Sequence, residues 1–246
     1  MNTVRDHKFY MERNLDLEQG IEISNKELIN CIFDNCHIGT RDDITKLSIF
    51  RNIDMIDCSL LNCLIGPVIL EDITIKNLKT GDIAIFNLPL LKHIKIEGKI
   101  GKIKINNIGF NLMPTLEEKK KMIDMKNSFY QKVDWAIDIS NAEFLDFFCL
   151  GIPTNLFKIN PEHQFIANRD KIIESSILSS KFINKNIVLN TILQLFVESE
   201  ENDMVLVTPL AKAKKYREPI LDLLRKYPED LQFPNEIRKP HPKKRQ

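Results

Sequence analysis

Residues 52–87 read NIDMI-DCSLL-NCLIG-PVILE-DITIK-NLKTG-DIAIF-N, and written in fives they carry one column that is never apolar. That column is Asn52, Asp57, Asn62, Pro67, Asp72, Asn77, Asp82 and Asn87, all residues that favour turns. The positions one and three residues further on, from Ile53 and Met55 to Ile83 and Ile85, are the reverse. Thirteen of those fourteen are hydrophobic, Thr80 being the exception, where a 43% hydrophobic composition would supply about six. An α-helix does not explain the pattern, because a five-residue period carries the apolar pair around the whole cylinder. A single flat strand fails as well, since the inward pair changes parity at every step.

A corner every five residues solves the geometry, with a bridge of three residues between corners whose first and third side chains point inward. Four such sides close a square coil of about 20 residues, and coils stacked at the strand spacing of about 4.8 Å share one apolar column. The expectation is a quadrilateral parallel β-helix with no room for reagents inside it.

On these residues the chain resembles the pentapeptide-repeat family, whose fold is a right-handed parallel β-helix. The resemblance extends to Asn30-Cys-Ile-Phe-Asp34 and Asn35-Cys-His-Ile-Gly39, is weaker over Lys102–Phe110, and returns at Asn141-Ala-Glu-Phe-Leu145 and Asp146–Leu150. Two departures matter. The polar centre of the repeat is often apolar, as at Leu64 and Ile69, and the phase slips between Gly39 and Ser48 and again around Leu88–Lys92. A locally bulged solenoid is therefore expected over residues 21–152. The family implies a rigid surface for a partner in place of a catalytic site, and its best-known members imitate duplex DNA. That mimicry needs a strongly negative face. Residues 88–110 instead carry Lys92, Lys95, Lys99, Lys102 and Lys104 against Glu97 alone.

Cys31 and Cys36, like Cys58 and Cys63, are five apart, which superficially suggests metal ligands. All four fall in the small inward position, where a free thiol behaves as a small hydrophobe. Metal pairs also usually sit closer in sequence.

Inside the repeat region, Thr115-Leu-Glu-Glu118 is a capping box, and the spacing predicts a helix over 116–134 with Met122, Met125, Phe129 and Val133 on its packed stripe. Residues 153–227 read as a small α/β part. Strands are expected at 164–167 and 204–208 and helices at 169–180, 187–198 and 216–227. So small a unit needs the solenoid end to complete its core. The tail 228–246, with four prolines and a closing Lys243-Lys-Arg245, is expected to lack regular structure.

The overall class is thus mixed α and β. With 35 basic and 34 acidic side chains in 246 residues, composition excludes disorder and a generally cationic coat for nucleic acid. Five cysteines, an odd number, and the lack of a secretion signal point to a cytoplasmic protein. No apolar stretch approaches the roughly 20 residues that span a bilayer. The five histidines are scattered, and neither a phosphate loop nor a nucleophile elbow occurs. No cofactor or metal is implied.

The densest polar group outside the repeats lies around the junction: Asp134, Trp135 and Asp138, then Glu162, His163, Arg169 and Asp170. Trp135, Asp138, Glu162, His163, Arg169 and Asp170 are the candidate partner-binding residues, since an aromatic with Arg and carboxylates is the usual content of a binding hot spot. The expected function is a non-catalytic module that binds another protein, of the immunity or antitoxin type in a bacterium, with oligomerisation open. One alternative is an enzyme using Glu162, His163, Arg169 and Asp170. Another is nucleic-acid binding through the lysines of 92–104 and the basic tail.

Overall fold

A computed structural model describes residues 1–14, 20–39, 46–106, 115–175, 177–185, 187–199, 201–210, 217–222 and 231–232. Its first half is a set of short strands that recur in triplets. These are β1 (Asn2–Arg5), β2 (Lys8–Tyr10) and β3 (Arg13–Asn14), then β4 (Glu22–Ile29), β5 (Ile32–Asp34) and β6 (His37–Ile38). The third and fourth triplets are β7 (Ile49–Ile56), β8 (Ser59–Leu61) and β9 (Leu64–Ile65), then β10 (Val68–Lys76), β11 (Lys79–Thr80) and β12 (Ala84–Asn87). A longer strand, β13 (Pro89–Asn106), follows.

Every neighbour in this region pairs in parallel. Asn2 faces Lys26, Lys26 faces Ile53, Ile53 faces Ile73 and Ile73 faces Ile94, so the chain returns beside itself after 24, 27, 20 and 21 residues. β13 pairs with β10 along its first half and with β12 along its second, which bends an eleven-stranded parallel sheet around one core. A second, four-stranded sheet runs β11-β8-β5-β2.

The corners are visible in the backbone. Asn52, Asp57, Asn62, Asp72 and Asn77 all have φ between 51° and 55°, the left-handed region that Asn and Asp tolerate best. Asn30 and Asn35, which open the two expected earlier repeats, are left-handed too, and the same conformation recurs before them at Asn25, Met11 and Asp6. Stacking therefore begins at Asn2 and not at residue 21, a start the repeat reading missed because Met11 is no turn former. The bridge positions from 58 to 75 are buried as expected, namely Cys58 and Leu60, Cys63 and Ile65, Val68 and Leu70, Ile73 and Ile75, whereas Ala84 and Phe86 are buried in place of the expected Ile83 and Ile85.

Of the two expected phase slips, the first coincides with the 27-residue return. The second lies earlier than 88–92. Lys79 faces Ser59 but Ile85 faces Leu64, so one residue is inserted between Thr80 and Ala84. Beyond it Leu88 and His93 occupy the left-handed corners.

Helix α1 spans Leu116–Tyr130. The Thr115 hydroxyl accepts from the Glu118 N–H while the Glu118 carboxylate accepts from the Thr115 N–H, completing the capping box. The helix ends at Tyr130, short of the expected 134. Tyr130 is buried, and its hydroxyl accepts from the Leu91 N–H. Met122 packs on Leu88.

After this insertion β14 (Ile137–Cys149) returns alongside β13, and β15 (Phe157–Lys158) pairs with β14, so stacking passes the expected limit at 152.

The rest is an antiparallel sheet with helices on one side. β16 (Gln164–Asn168) is flanked by β17 (Asp203–Val207) and β18 (Leu231–Gln232), and the helices are α2 (Arg169–Glu174), α3 (Lys181–Lys185) and α4 (Ile187–Glu198). Residues 217–222 are helical as well. The single helix expected over 169–180 ends at Glu174, where Ser175 turns its hydroxyl back to the Ile172 carbonyl. β18 places a strand in the tail where none was expected. The remainder of that tail, basic tip included, lies outside the described residues.

Strand alternation gives the small sheet two apolar faces. Phe165, Ala167, Met204 and Leu206 pack under the helices, while Ile166, Val205 and Val207 join the core of the parallel region. Buried Gln164 donates to the Ile139 carbonyl. The C-terminal part thus completes its core on the last strands of the stack. Among the described residues no helix is long and apolar enough to cross a membrane.

Candidate functional site

Corner side chains of successive turns hydrogen-bond to one another. The Asn30 amide donates to Asp6 (2.6 Å), Asn77 to Asp57 (3.0 Å) and Asn52 to Asn25. One such column ends in a different group. His93 holds Asp72 through Nδ1 at 2.8 Å and Asp134 through Nε2 at 2.6 Å. Two carboxylates accept and cannot donate, so both ring nitrogens must carry protons for this rung to be complete.

Burial draws the His93 pKa down, but the hydrogen bonds to Asp134 and Asp72 outweigh it and the net shift is upward. The partner Asp134 is held below the usual carboxylate range, chiefly by the same bond. A raised folded-state value means that this rung stabilises fully below the ordinary histidine value of 6.5 and is lost as pH rises through the folded value.

Trp135 lies directly on this rung. Its ring stacks on His93 with centroids 4.7 Å apart, and Lys158 Nζ stands 3.7 Å from its centroid. The sole tryptophan is therefore an internal reporter. An imidazolium in contact with the indole withdraws electron density from its excited state, so emission should increase as pH rises through a midpoint above 6.5. His93→Asn should abolish the step; a midpoint at or below 6.5, or a step retained in that variant, contradicts the assignment.

The junction residues expected to act together fall into three places. Trp135 belongs to the His93 rung, and Asp138 three residues on accepts from the Ser140 hydroxyl at 2.6 Å. Glu162 and His163 occupy a turn closed by Asn160, whose side chain accepts from the Glu162 N–H and lies 3.3 Å from His163 Nε2. Arg169 donates to the Ser199 carbonyl at 2.9 Å, with Asp170 beside it at 3.9 Å. The shared groove is not formed by direct contacts among these groups. His93, Asp72 and Lys158, which complete the Trp135 cluster, were missed. His93 carried a signal only in its five-residue spacing from Leu88 and Gly98.

The lysine-rich strand is balanced by its neighbours. In the register of β13 with β14, Lys95 faces Asp138, Lys99 faces Glu143 and Lys102 faces Asp146, and on the other side Lys92 faces Glu71. Opposite charges on adjacent strands hold this register and cancel the local positive field.

The thiols are packing groups, as expected. All five are buried and free. Cys31, Cys36, Cys58 and Cys63 each donate to a carbonyl of the preceding turn, on Val4, Phe9, Leu28 and Phe33 respectively. Burial pushes Cys58 up to about 11 and raises Cys63 and Cys149. An aromatic disulfide reagent at pH 8 should label none of the five in the native protein and all five in guanidinium. Rapid native labelling would exclude the inward placement.

The expectation of a filled interior is not met. An apolar cavity of ≈ 370 Å³ runs along the axis, lined from Val4 and Phe9 in the first turn to Ile137 in the sixth. The lining is mostly Ile, Leu and Phe, whose side chains do not fill the space that the turns enclose. Among the described residues no group of three or more metal-ligating side chains converges. A scan against protein-family models returns no match, and neither curated proteins nor solved structures match the chain.

Proposed function

We propose that this chain is a non-catalytic protein-binding module built on a right-handed parallel β-helix of pentapeptide-repeat type, with the surface around Trp135 as its contact site. The observation that carries the reading is the His93–Trp135–Lys158 stack braced by Asp72 and Asp134. It is a half-buried aromatic held rigid by charged neighbours, the composition at which interface energy concentrates. Support for the β-helix comes from left-handed corners at five-residue spacing and parallel returns near 20 residues.

Pre-formed platforms of this kind lose little entropy on binding. An immunity or antitoxin role in a bacterium remains part of the proposal, because it requires binding alone. A nucleic-acid partner draws less support, since the lysines of β13 face carboxylates.

The test is a comparative capture from the source cell with wild-type, Trp135→Ala and Glu162→Ala proteins. A partner retained by wild type and Glu162→Ala but lost from Trp135→Ala, with each chain folded by circular dichroism, is the expected result. A partner lost equally from both variants, or held equally by all three, would place the contact elsewhere.

A further inference from the structure

We propose that the axial cavity is a binding site for a single-chain monocarboxylate amphiphile, a fatty acid, entered at the first turn and held by Lys26 at its head. The argument rests on three observations and does not depend on the Trp135 surface.

The first is the shape of the space. The cavity follows the stacked inward columns, and its far end meets Ile137, which is fully buried below the C-terminal cap. Its near end is different. Val4 and Phe9 are half-buried and Glu12 is exposed, so among the described residues the most exposed part of the lining is at the first turn. Six turns at the strand spacing give a channel of about 24 Å. Its long axis and apolar wall match an extended hydrocarbon chain, and its volume falls in the range of about 300–1,000 Å³ usual for small-molecule sites.

The second is Lys26. In register, the inward column reads Asn2, Lys26, Ile53, Ile73, Ile94 and Ile137. A lysine thus stands where four later turns place isoleucine, half-buried and lining the cavity. An ammonium at the boundary between apolar channel and water is suited to a carboxylate whose chain continues inward.

The third is Glu12, which follows the Met11 corner at the equivalent inward position of another side and lines the same mouth. Among the described lining residues the charges are one cation below and one anion at the rim. That balance accepts a monoanion at Lys26 and disfavours dianionic phosphate headgroups, which would meet Glu12 as well.

The experiment uses the full-length, delipidated chain titrated calorimetrically with dodecanoate and, separately, 1-dodecanol. One dodecanoate per chain is expected, with a negative heat-capacity change from apolar burial. Lys26→Gln should weaken dodecanoate at least tenfold and leave 1-dodecanol unchanged. Ile73→Phe, which narrows the channel, should abolish both. Should Ile73→Phe not fold, contacts between dodecanoate methylenes and the Ile73 and Ile94 methyls, observed by nuclear Overhauser effects in the wild-type protein, decide the same point. Binding of neither ligand, binding unchanged in Ile73→Phe, absence of those methyl contacts, or Lys26→Gln weakening acid and alcohol alike would each overturn the proposal. So would a chain that dimerises through its first turn and excludes dodecanoate.

Discussion

Gly66→Ala should lower the stability of the protein by more than about 3 kcal/mol, read as a fall in the midpoint of urea unfolding at unchanged slope. Gly66 has φ +101°, which a side chain rarely adopts, and a Cβ there would stand 1.9 Å from the Asn87 carbonyl oxygen and 2.9 Å from its carbon. Both contacts are to backbone of the adjacent turn, so relief requires the stacking itself to open. Gly81 is the internal control. Its nearest neighbours to an added Cβ lie at 3.8 Å and its φ is not positive. Gly81→Ala should therefore stay within about 0.5 kcal/mol of wild type. Equal effects at the two positions would mean that the turns do not approach one another as described.

Asn77→Val should destabilise by about 3 kcal/mol, whereas Asn77→Gly should cost only about 1 kcal/mol. Asn77 occupies a corner with φ 54°. Its side-chain oxygen accepts from the Lys99 N–H at 3.1 Å and its amide donates to Asp57 at 3.0 Å. A β-branched replacement meets the steric cost of the left-handed region, roughly 1–2 kcal/mol, and also leaves the Lys99 N–H without its acceptor. Glycine removes the steric part and loses only the hydrogen bonds. The asymmetry between the two substitutions is the signature of a corner, since in an ordinary extended strand valine would be the better tolerated of the two.

Much of the parallel region was legible because its geometry is imposed by backbone sterics. Turn formers at 52, 57, 62, 72 and 77 mark left-handed residues, and that constraint leaves a direct trace in residue type. The trace fades where other residues take the same conformation. Met11, Leu88 and His93 are corners with no Asx character, so the first turn and the shifted phase after Thr80 were not placed. The capping box at Thr115 announced α1, yet its end was not marked, because Gln131 closes the helix without glycine or proline.

The candidate site was less legible for a general reason. Trp135 stood out as the sole tryptophan, but its partners His93 and Lys158 come from neighbouring turns 42 residues before and 23 after in the chain, and only the register brings them together. The pair Glu162 and His163 is close in sequence to the pair Arg169 and Asp170 but separate from it in space, since strand β16 carries the turn and the helix start at opposite ends. The interior volume had no sequence signal at all. Apolar columns specify which side chains point inward, whereas the space they leave depends on the size of the turn.

The central proposition is that residues about twenty apart lie side by side. Solution NMR on uniformly labelled protein tests it directly. Contacts between Ile53–Ile56 and Ile73–Lys76, and between Ser59 and Lys79, with left-handed chemical shifts at Asn52, Asp57, Asn62, Asp72 and Asn77, are the expected result. Successive amide–amide contacts of a helix through residues 52–80, or antiparallel pairing of those segments, would contradict it.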